Sequence, residues 1–130
     1  MSALRKLSAL CLFGLAFSAP VMAQPIQPFT TAALKAAQSA GKSILVDAYA
    51  PWCPTCRKQA PTIEAMAKNP AFEKLLILRL DYDNQDAEKR ALGIATQSTL
   101  IAFDGSKETG RLVGVTDPAQ IESLAKSAMP

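Results

Sequence analysis

Apolar residues fall into short runs that predict strands, separated by segments with helical spacing. Two runs, Ser43 to Ala50 and Leu75 to Leu80, are apolar at nearly every position, which is typical of central strands covered on both faces. Another strand is predicted at Thr99 to Phe103, and the turn signal Asp104-Gly105 connects it to a hairpin partner at Thr109 to Val115. This order predicts parallel strands first and an antiparallel hairpin last.

Helices are predicted before, between and after these strands. Thr30 or Thr31 suits the N-cap of a first helix, and Asp117 suits the N-cap of a last one. Two further segments with helical spacing lie at 57–68 and 85–92. The alternation of helices and strands predicts an α/β fold, with a central mixed sheet of four to five strands flanked by about four helices.

The first residues of the chain predict a secretory signal peptide rather than part of the fold. Arg5 and Lys6 precede an apolar run from Leu7 to Phe17, and small residues lead to a cleavage site after Ala23. The run is too short for an ordinary transmembrane helix, although an uncleaved anchor is the alternative. A soluble periplasmic protein of a Gram-negative bacterium is the simplest prediction.

The domain organisation predicted from this signal is a signal peptide at 1–23 and one domain at 24–130. Cys11 lies in the signal and is expected to be removed with it. Residues 24–29 leave little room for a strand before the first helix, so we expect that strand to be missing or reduced. No repeat, low-complexity segment or linker divides the remainder.

Charge and composition exclude several classes of site. The formal net charge of the 130 residues is +3, and it falls to about +1 without the two basic residues of the signal. This is too small to suggest a nucleic-acid surface. The chain has no histidine, which excludes catalytic triads with a histidine base and metal sites with histidine ligands.

The mature chain retains two cysteines, Cys53 and Cys56, at a strand-to-helix junction. Unpaired N–H groups at a helix N-terminus stabilise a thiolate, and we expect Cys53 to lie there, exposed, with Cys56 one turn further on the same face. Such a dithiol can attack a disulfide and then resolve the mixed intermediate. A structural disulfide is the alternative, but a bridge that closes so short a loop stabilises little.

The stretch from Ile44 to Pro61 resembles the active site of the thioredoxin family, on its Trp-Cys-x-x-Cys core. Asp47 stands where the family has a buried acid, Pro61 where the family bends its active-site helix, and Gly114 near the last strand. The resemblance extends from about Thr30 to Met129. It implies a thioredoxin fold and a thiol-disulfide oxidoreductase, with no cofactor beyond a redox-active Cys53–Cys56 disulfide.

The resemblance and the local sequence together suggest roles for individual residues in thiol-disulfide exchange. Cys53 is the expected nucleophile and Cys56 the resolving thiol. A lone carboxyl in an apolar strand should have a raised pKa, so Asp47 is the expected proton carrier for Cys56, unless it is exposed or merely caps a loop. Trp52 is expected to shield the sulfurs and contact partners, and Tyr49 either helps or is a core aromatic. The expected substrate contacts are Trp52, Pro54, Thr55, Gln97, Ser98 and Thr99.

Two positions depart from the family. Thioredoxins place a cis-proline opposite the cysteines, and the alignment puts Ser98 there. A cis bond before serine costs about 3 kcal/mol, so we expect a trans Gln97–Ser98 bond, a different loop shape and a hydroxyl near the sulfurs. Thioredoxins also have a lysine that approaches the buried acid. We align Ile77 with it, which predicts that Asp47 lacks a basic partner.

Three functional readings remain from the sequence. The first is a disulfide reductant or isomerase-type helper, with protein disulfide or dithiol substrates, because Cys-Pro-Thr-Cys is similar to some periplasmic reductases of cytochrome c maturation. Its electrons would come from a membrane protein. The second is binding of copper(I) or zinc by the two thiolates with outside ligands. The third is a docking domain whose disulfide never turns over. The chain is expected to act as a monomer.

Overall fold

The computed structural model describes residues 24–130, and the predicted signal peptide with Cys11 lies outside them. Five strands form one sheet in the order β1-β3-β2-β4-β5. The strands are β1 (Gln27–Pro28), β2 (Ser43–Tyr49), β3 (Leu75–Asp81), β4 (Thr99–Asp104) and β5 (Lys107–Val113). The helices are α1 (Thr31–Ser39), α2 (Pro54–Lys68), α3 (Asp86–Ala91) and α4 (Pro118–Ser127), with a 3₁₀ turn at Pro70–Phe72.

The sheet is mixed, as the element order predicts. β1 and β2 run parallel to β3, while β4 pairs antiparallel with both β2 and β5. The α/β fold with five strands and four helices is therefore confirmed. The first strand is indeed reduced, to the two residues Gln27–Pro28 at the sheet edge.

Element boundaries differ most from the prediction in α2 and β5. α2 begins at Pro54, three residues before the predicted start, because proline suits the first turn, where its missing N–H needs no partner. β5 begins at Lys107, directly after the turn, and ends at Val113. The predicted caps are present: Thr30 accepts from the N–H of Ala33 and Asp117 from that of Gln120.

Successive residues of β2 point to opposite faces of the sheet, which divides the core in two. Leu45 packs with Ile63 and Met66 of α2 on one face. Ile44 and Val46 pack with α1 on the other. Asp47 has the parity of Leu45, so it faces the side that α2 covers.

None of the helices within residues 24–130 is both long and apolar enough to cross a membrane.

Candidate active site

The two cysteines lie at the N-terminus of α2, on the loop that leaves the central strand β2. Cys53 is the N-cap residue, and its Sγ accepts a hydrogen bond of 3.0 Å from the backbone N–H of Cys56. An N-cap side chain normally supplies an oxygen for this purpose, and here a sulfur does so. The helix N-terminus therefore directs its partial positive charge at Cys53, as the sequence predicts.

Burial of the cysteines differs from the expectation. We expected Cys53 to be exposed, but both Cys53 and Cys56 are only 1% exposed. They form a small apolar cluster with Ala50, against which Tyr49 and Tyr82 pack. This packing was not readable from the sequence, because Tyr82 lies on another strand end.

The Cys56 thiol is strongly disfavoured as a thiolate. Burial, followed by a hydrogen bond with Cys53, raises the pKa of Cys56 from its ordinary 9.0 to about 11. Backbone hydrogen bonds from Ala50 and Ser98 act in the opposite direction. Cys56 thus needs a base before it can act as a nucleophile.

Asp47 is buried, at 1% exposed, and it has a basic partner. Arg79 lies opposite Asp47 in the register of β2 and β3, and its Nε donates to Asp47 Oδ2 over 2.9 Å. The expectation that the partner is absent was wrong: the alignment with Ile77 was two residues out, and Arg79 occupies the position. Burial raises the pKa of Asp47, and the Arg79 charge partly offsets this.

Arg79 connects the buried acid to the surface. Its side chain is 26% exposed, and its guanidinium lies 4.4 Å from the centroid of the Tyr49 ring. It also lines an open cleft of about 420 Å³, together with Tyr49, Pro51 and Asp83. Tyr49 therefore positions Arg79, a role that sequence analysis did not assign to it.

Trp52 is the largest exposed apolar side chain beside the cysteines, at 54% exposed. Its indole N–H donates to both carboxylate oxygens of Asp83, each at 3.0 Å. Asp83 lies in the loop after β3, so this bond joins the active-site loop to a neighbouring loop. The orientation of the indole is thereby fixed.

The loop before β4 lies against the cysteines. The Gln97–Ser98 bond is trans, as expected, since no cis peptide bond occurs in residues 24–130. Ser98 adopts a left-handed conformation with φ of 57°, and its N–H donates to Ala48 O over 2.9 Å. The Ser98 hydroxyl donates to Gln97 O at 2.6 Å, so it points to the backbone rather than to a sulfur.

Sequence analysis missed Gln59, which is 0% exposed on α2. Its Nε2 donates to Ser98 O at 3.2 Å and to Val115 O at 2.8 Å. The available signal was its position three residues after Cys56, which places both on one helix face.

The other residues expected to contact a substrate differ in exposure. Pro54 is exposed, Thr55 and Gln97 are half-buried, and Thr99 is only 2% exposed with its hydroxyl bonded to Thr96 O. Their roles stay predictions. The described residues contain no cluster of three or more Cys, Asp or Glu side chains that could hold a metal ion.

Comparison with known proteins gives consistent matches. The sequence profile of the thioredoxin family matches residues 26–127. Thioredoxin from Alicyclobacillus acidocaldarius is 33% identical over 94 residues, which cover 72% of this chain and 89% of that protein. Among solved structures, Trxlp from Edwardsiella tarda superposes with a TM-score of 0.74 at 32% identity, covering 78% of this chain and 98% of that one. Thioredoxin from Malassezia sympodialis, at 24% identity and a TM-score of 0.71, shares the fold.

Proposed function

Because the chain belongs to the thioredoxin family, as a thiol-disulfide oxidoreductase with a Cys53–Cys56 pair, we propose that it is an exported disulfide reductase in which Cys53 attacks and Cys56 resolves. One observation carries the assignment of roles: the Cys56 N–H donates to the Cys53 sulfur. The helix N-terminus directs its partial positive charge at Cys53, its N-cap residue, whereas burial raises the pKa of Cys56.

The reaction transfers two electrons from the dithiol to the partner. The Cys53 thiolate attacks one sulfur of the partner's disulfide, that S–S bond breaks, and the departing partner thiolate takes up a proton. Cys56 then loses its proton and attacks Cys53 Sγ, which breaks the mixed disulfide. The products are a Cys53–Cys56 disulfide and a partner dithiol.

Asp47 is the proposed acceptor of the Cys56 proton. It lies on the sheet face covered by α2, and burial raises its pKa, which brings its basicity closer to that of a thiol. Asp47 Oδ1 is buried and has no hydrogen-bond partner among the described residues, so it is free to accept a proton. Arg79 holds the other carboxylate oxygen, Oδ2, so Oδ1 is the atom that would take up the proton.

The direction of electron flow is tested by the reduction potential of the pair. Equilibration with dithiothreitol or glutathione at pH 7 is expected to give a value near about −270 mV, which suits a reductant. A value near about −120 mV would contradict the proposal and indicate a disulfide-forming oxidant.

The order of the two cysteines is tested by trapping. With a disulfide substrate, Cys56→Ser is expected to accumulate a mixed disulfide through Cys53, because the resolving thiol is missing. Cys53→Ser serves as the matched control and should trap nothing. Equal trapping by both variants would contradict the assignment.

Export and the electron source are proposals supported by the N-terminal sequence. A cleaved signal predicts that the mature protein from the periplasmic fraction begins at Gln24, which N-terminal sequencing measures. A reductant in an oxidising compartment needs a donor, which we propose to be a membrane electron-transfer protein. Co-purification of a mixed disulfide between Cys53 and a membrane protein would support this, and reduction unaffected by loss of all membrane donors would contradict it.

A further inference from the structure

The side chain of Gln59 joins the helix of the cysteines to two loops. Gln59 is one turn after Cys56 on α2, and its Nε2 donates to Ser98 O and to Val115 O, at 3.2 and 2.8 Å. Ser98 precedes β4 and Val115 follows β5, so one amide ties both loops to the helix.

Ser98 is held from three sides in a conformation that a serine rarely adopts. Its φ is 57°, a left-handed conformation that is unfavourable for an L-residue and persists only where the surroundings impose it. Its N–H donates to Ala48 O in β2, and its carbonyl accepts from Gly114 N as well as from Gln59. No proline ring restrains the backbone here, so these three hydrogen bonds hold Ser98 in its conformation.

A packing role alone does not account for the amide of Gln59. The residue is 0% exposed, and its Oε1 is buried with no hydrogen-bond partner among residues 24–130. Burying an unpaired polar atom is unfavourable, so an apolar side chain of the same size would avoid this desolvation cost. What the glutamine adds is the pair of hydrogen bonds to Ser98 and Val115.

We propose that Gln59 is a positioning residue for thiol-disulfide exchange, whose amide holds the Gln97–Ser98 turn against the sulfur of Cys56. The inference rests on the proposed function, because it assigns Cys56 the resolving step. The Ser98 N–H and the Cys56 thiol both donate to Ala48 O, at 2.9 and 3.8 Å, which places the turn beside the sulfur. The Ser98 backbone lowers the pKa of Cys56 and so favours its thiolate. When the turn is held less firmly, Cys56 becomes a thiolate less readily and resolves the mixed disulfide more slowly.

The test compares Gln59→Met with Met66→Ala. Methionine keeps the length of glutamine but donates no hydrogen bond, and Ser98 O still accepts from Gly114 N, so the variant is expected to fold. Met66 is a 2% exposed residue of the same helix, distant from the turn, and its truncation lowers stability without touching the site. Gln59→Glu is the second variant: its carboxylate cannot donate, whereas its protonated form donates one bond.

Two quantities are measured in each variant. The first is the lifetime of the mixed disulfide that Cys53 forms with oxidised glutathione, followed by mass spectrometry. The second is the pH at which iodoacetamide modifies Cys56 at half its maximal rate. We expect Gln59→Met to lengthen the lifetime about tenfold or more, the order of effect of a misplaced reacting group, and to raise the half-maximal pH. Gln59→Glu should approach the wild-type lifetime as the pH falls.

The outcomes separate the inference from the proposed function. If Gln59→Met matches Met66→Ala in both quantities after their thermal stabilities are compared, Gln59 is structural and the inference is overturned. If the wild-type protein itself fails to resolve the glutathione adduct, the proposed function fails. The pH dependence of Cys56 alkylation still decides the role of Gln59 in that case, because it needs no turnover.

Discussion

Arg79 Nε donates to Asp47 Oδ2 over 2.9 Å, and the two residues are direct partners in the parallel pairing of β3 with β2. The bond places an arginine side chain that is 26% exposed next to an aspartate side chain that is 1% exposed. Burial and the positive charge therefore act on the Asp47 pKa in opposite directions, and burial is the larger effect. The site keeps a buried base whose charge is only partly compensated.

Asp47→Asn is expected to stabilise the protein at neutral pH. The folded protein raises the Asp47 pKa, so it binds more protons than the unfolded chain between the two pKa values, and stability falls as pH rises through that window. The variant should lose this dependence and be more stable than the wild type at pH 7, by an amount that shrinks as the pH falls. Urea unfolding from acidic to neutral pH measures it, and an unchanged pH dependence would contradict the burial argument.

Arg79→Met is expected to have the opposite effect. Without the guanidinium the Asp47 pKa rises further, so the loss of stability should grow with pH and reach about 2–4 kcal/mol at neutral pH, the order for removing one partner of a buried pair.

The matched control for this prediction is Arg111→Met. Arg111 pairs with Glu108 at a more exposed site, where both side chains are more than a third exposed, and such pairs contribute about 0–1 kcal/mol. Arg111 also donates to Leu92 O and Gly93 O, and the loss of these two bonds does not depend on pH. Equal and pH-independent losses in the two variants would argue against a special role for Arg79.

The error over Arg79 shows what the sequence does and does not determine. The run Leu75 to Asp81 predicts a buried strand, because apolar residues fill it, and the structure confirms one. It does not determine the register between β2 and β3, so Ile77 and Arg79 were both compatible with a position opposite Asp47. A two-residue shift keeps the sheet face but changes the residue that reaches the acid.

For the cysteines, the sequence predicts the position in the helix but not the burial. Local signals are enough to place Cys53 at a helix start, since capping is decided within a few residues. Burial of Cys53 depends on Tyr49 and Tyr82, which pack there from elsewhere in the fold. From its neighbours in the sequence, Gln59 is expected to be a solvent-exposed helix residue. Its amide finds hydrogen-bond acceptors only because the fold brings Ser98 O and Val115 O next to it.

Cys56 is expected to titrate at a pKa of about 11 in the dithiol protein. Burial is the first cause and the hydrogen bond with Cys53 the second, so Cys53→Ala should lower the pKa towards the ordinary 9.0. Ultraviolet absorbance of the thiolate during a pH titration measures it. An unchanged midpoint in Cys53→Ala would show that the two sulfurs do not interact.

Ser98 should respond oppositely to glycine and to proline. Ser98→Gly removes the cost of a left-handed serine, about 1–3 kcal/mol, but adds about 0.4–1 kcal/mol of chain entropy to the unfolded state, so a small net gain is expected. Ser98→Pro fixes φ near about −65° and removes the N–H that donates to Ala48 O, so a loss of stability is expected as long as the bond after Gln97 stays trans. Thermal unfolding measures both.

Ser106→Gly is the control for the glycine substitution. Ser106 is exposed, and it is not among the residues with positive φ, so glycine there should not stabilise. A gain at Ser106 equal to that at Ser98 would mean that the left-handed conformation is not the cause.

The 1% exposure of Cys53 has a consequence for the choice of reaction partner. A dissolved oxidant that collides at random seldom reaches the sulfur, because the cysteines are packed against Ala50, Tyr49 and Tyr82. A protein partner that binds at the site stays long enough to bring its disulfide to the thiol. Burial of Cys53 thus slows its reaction with dissolved oxidants more than its reaction with proteins that bind at the site.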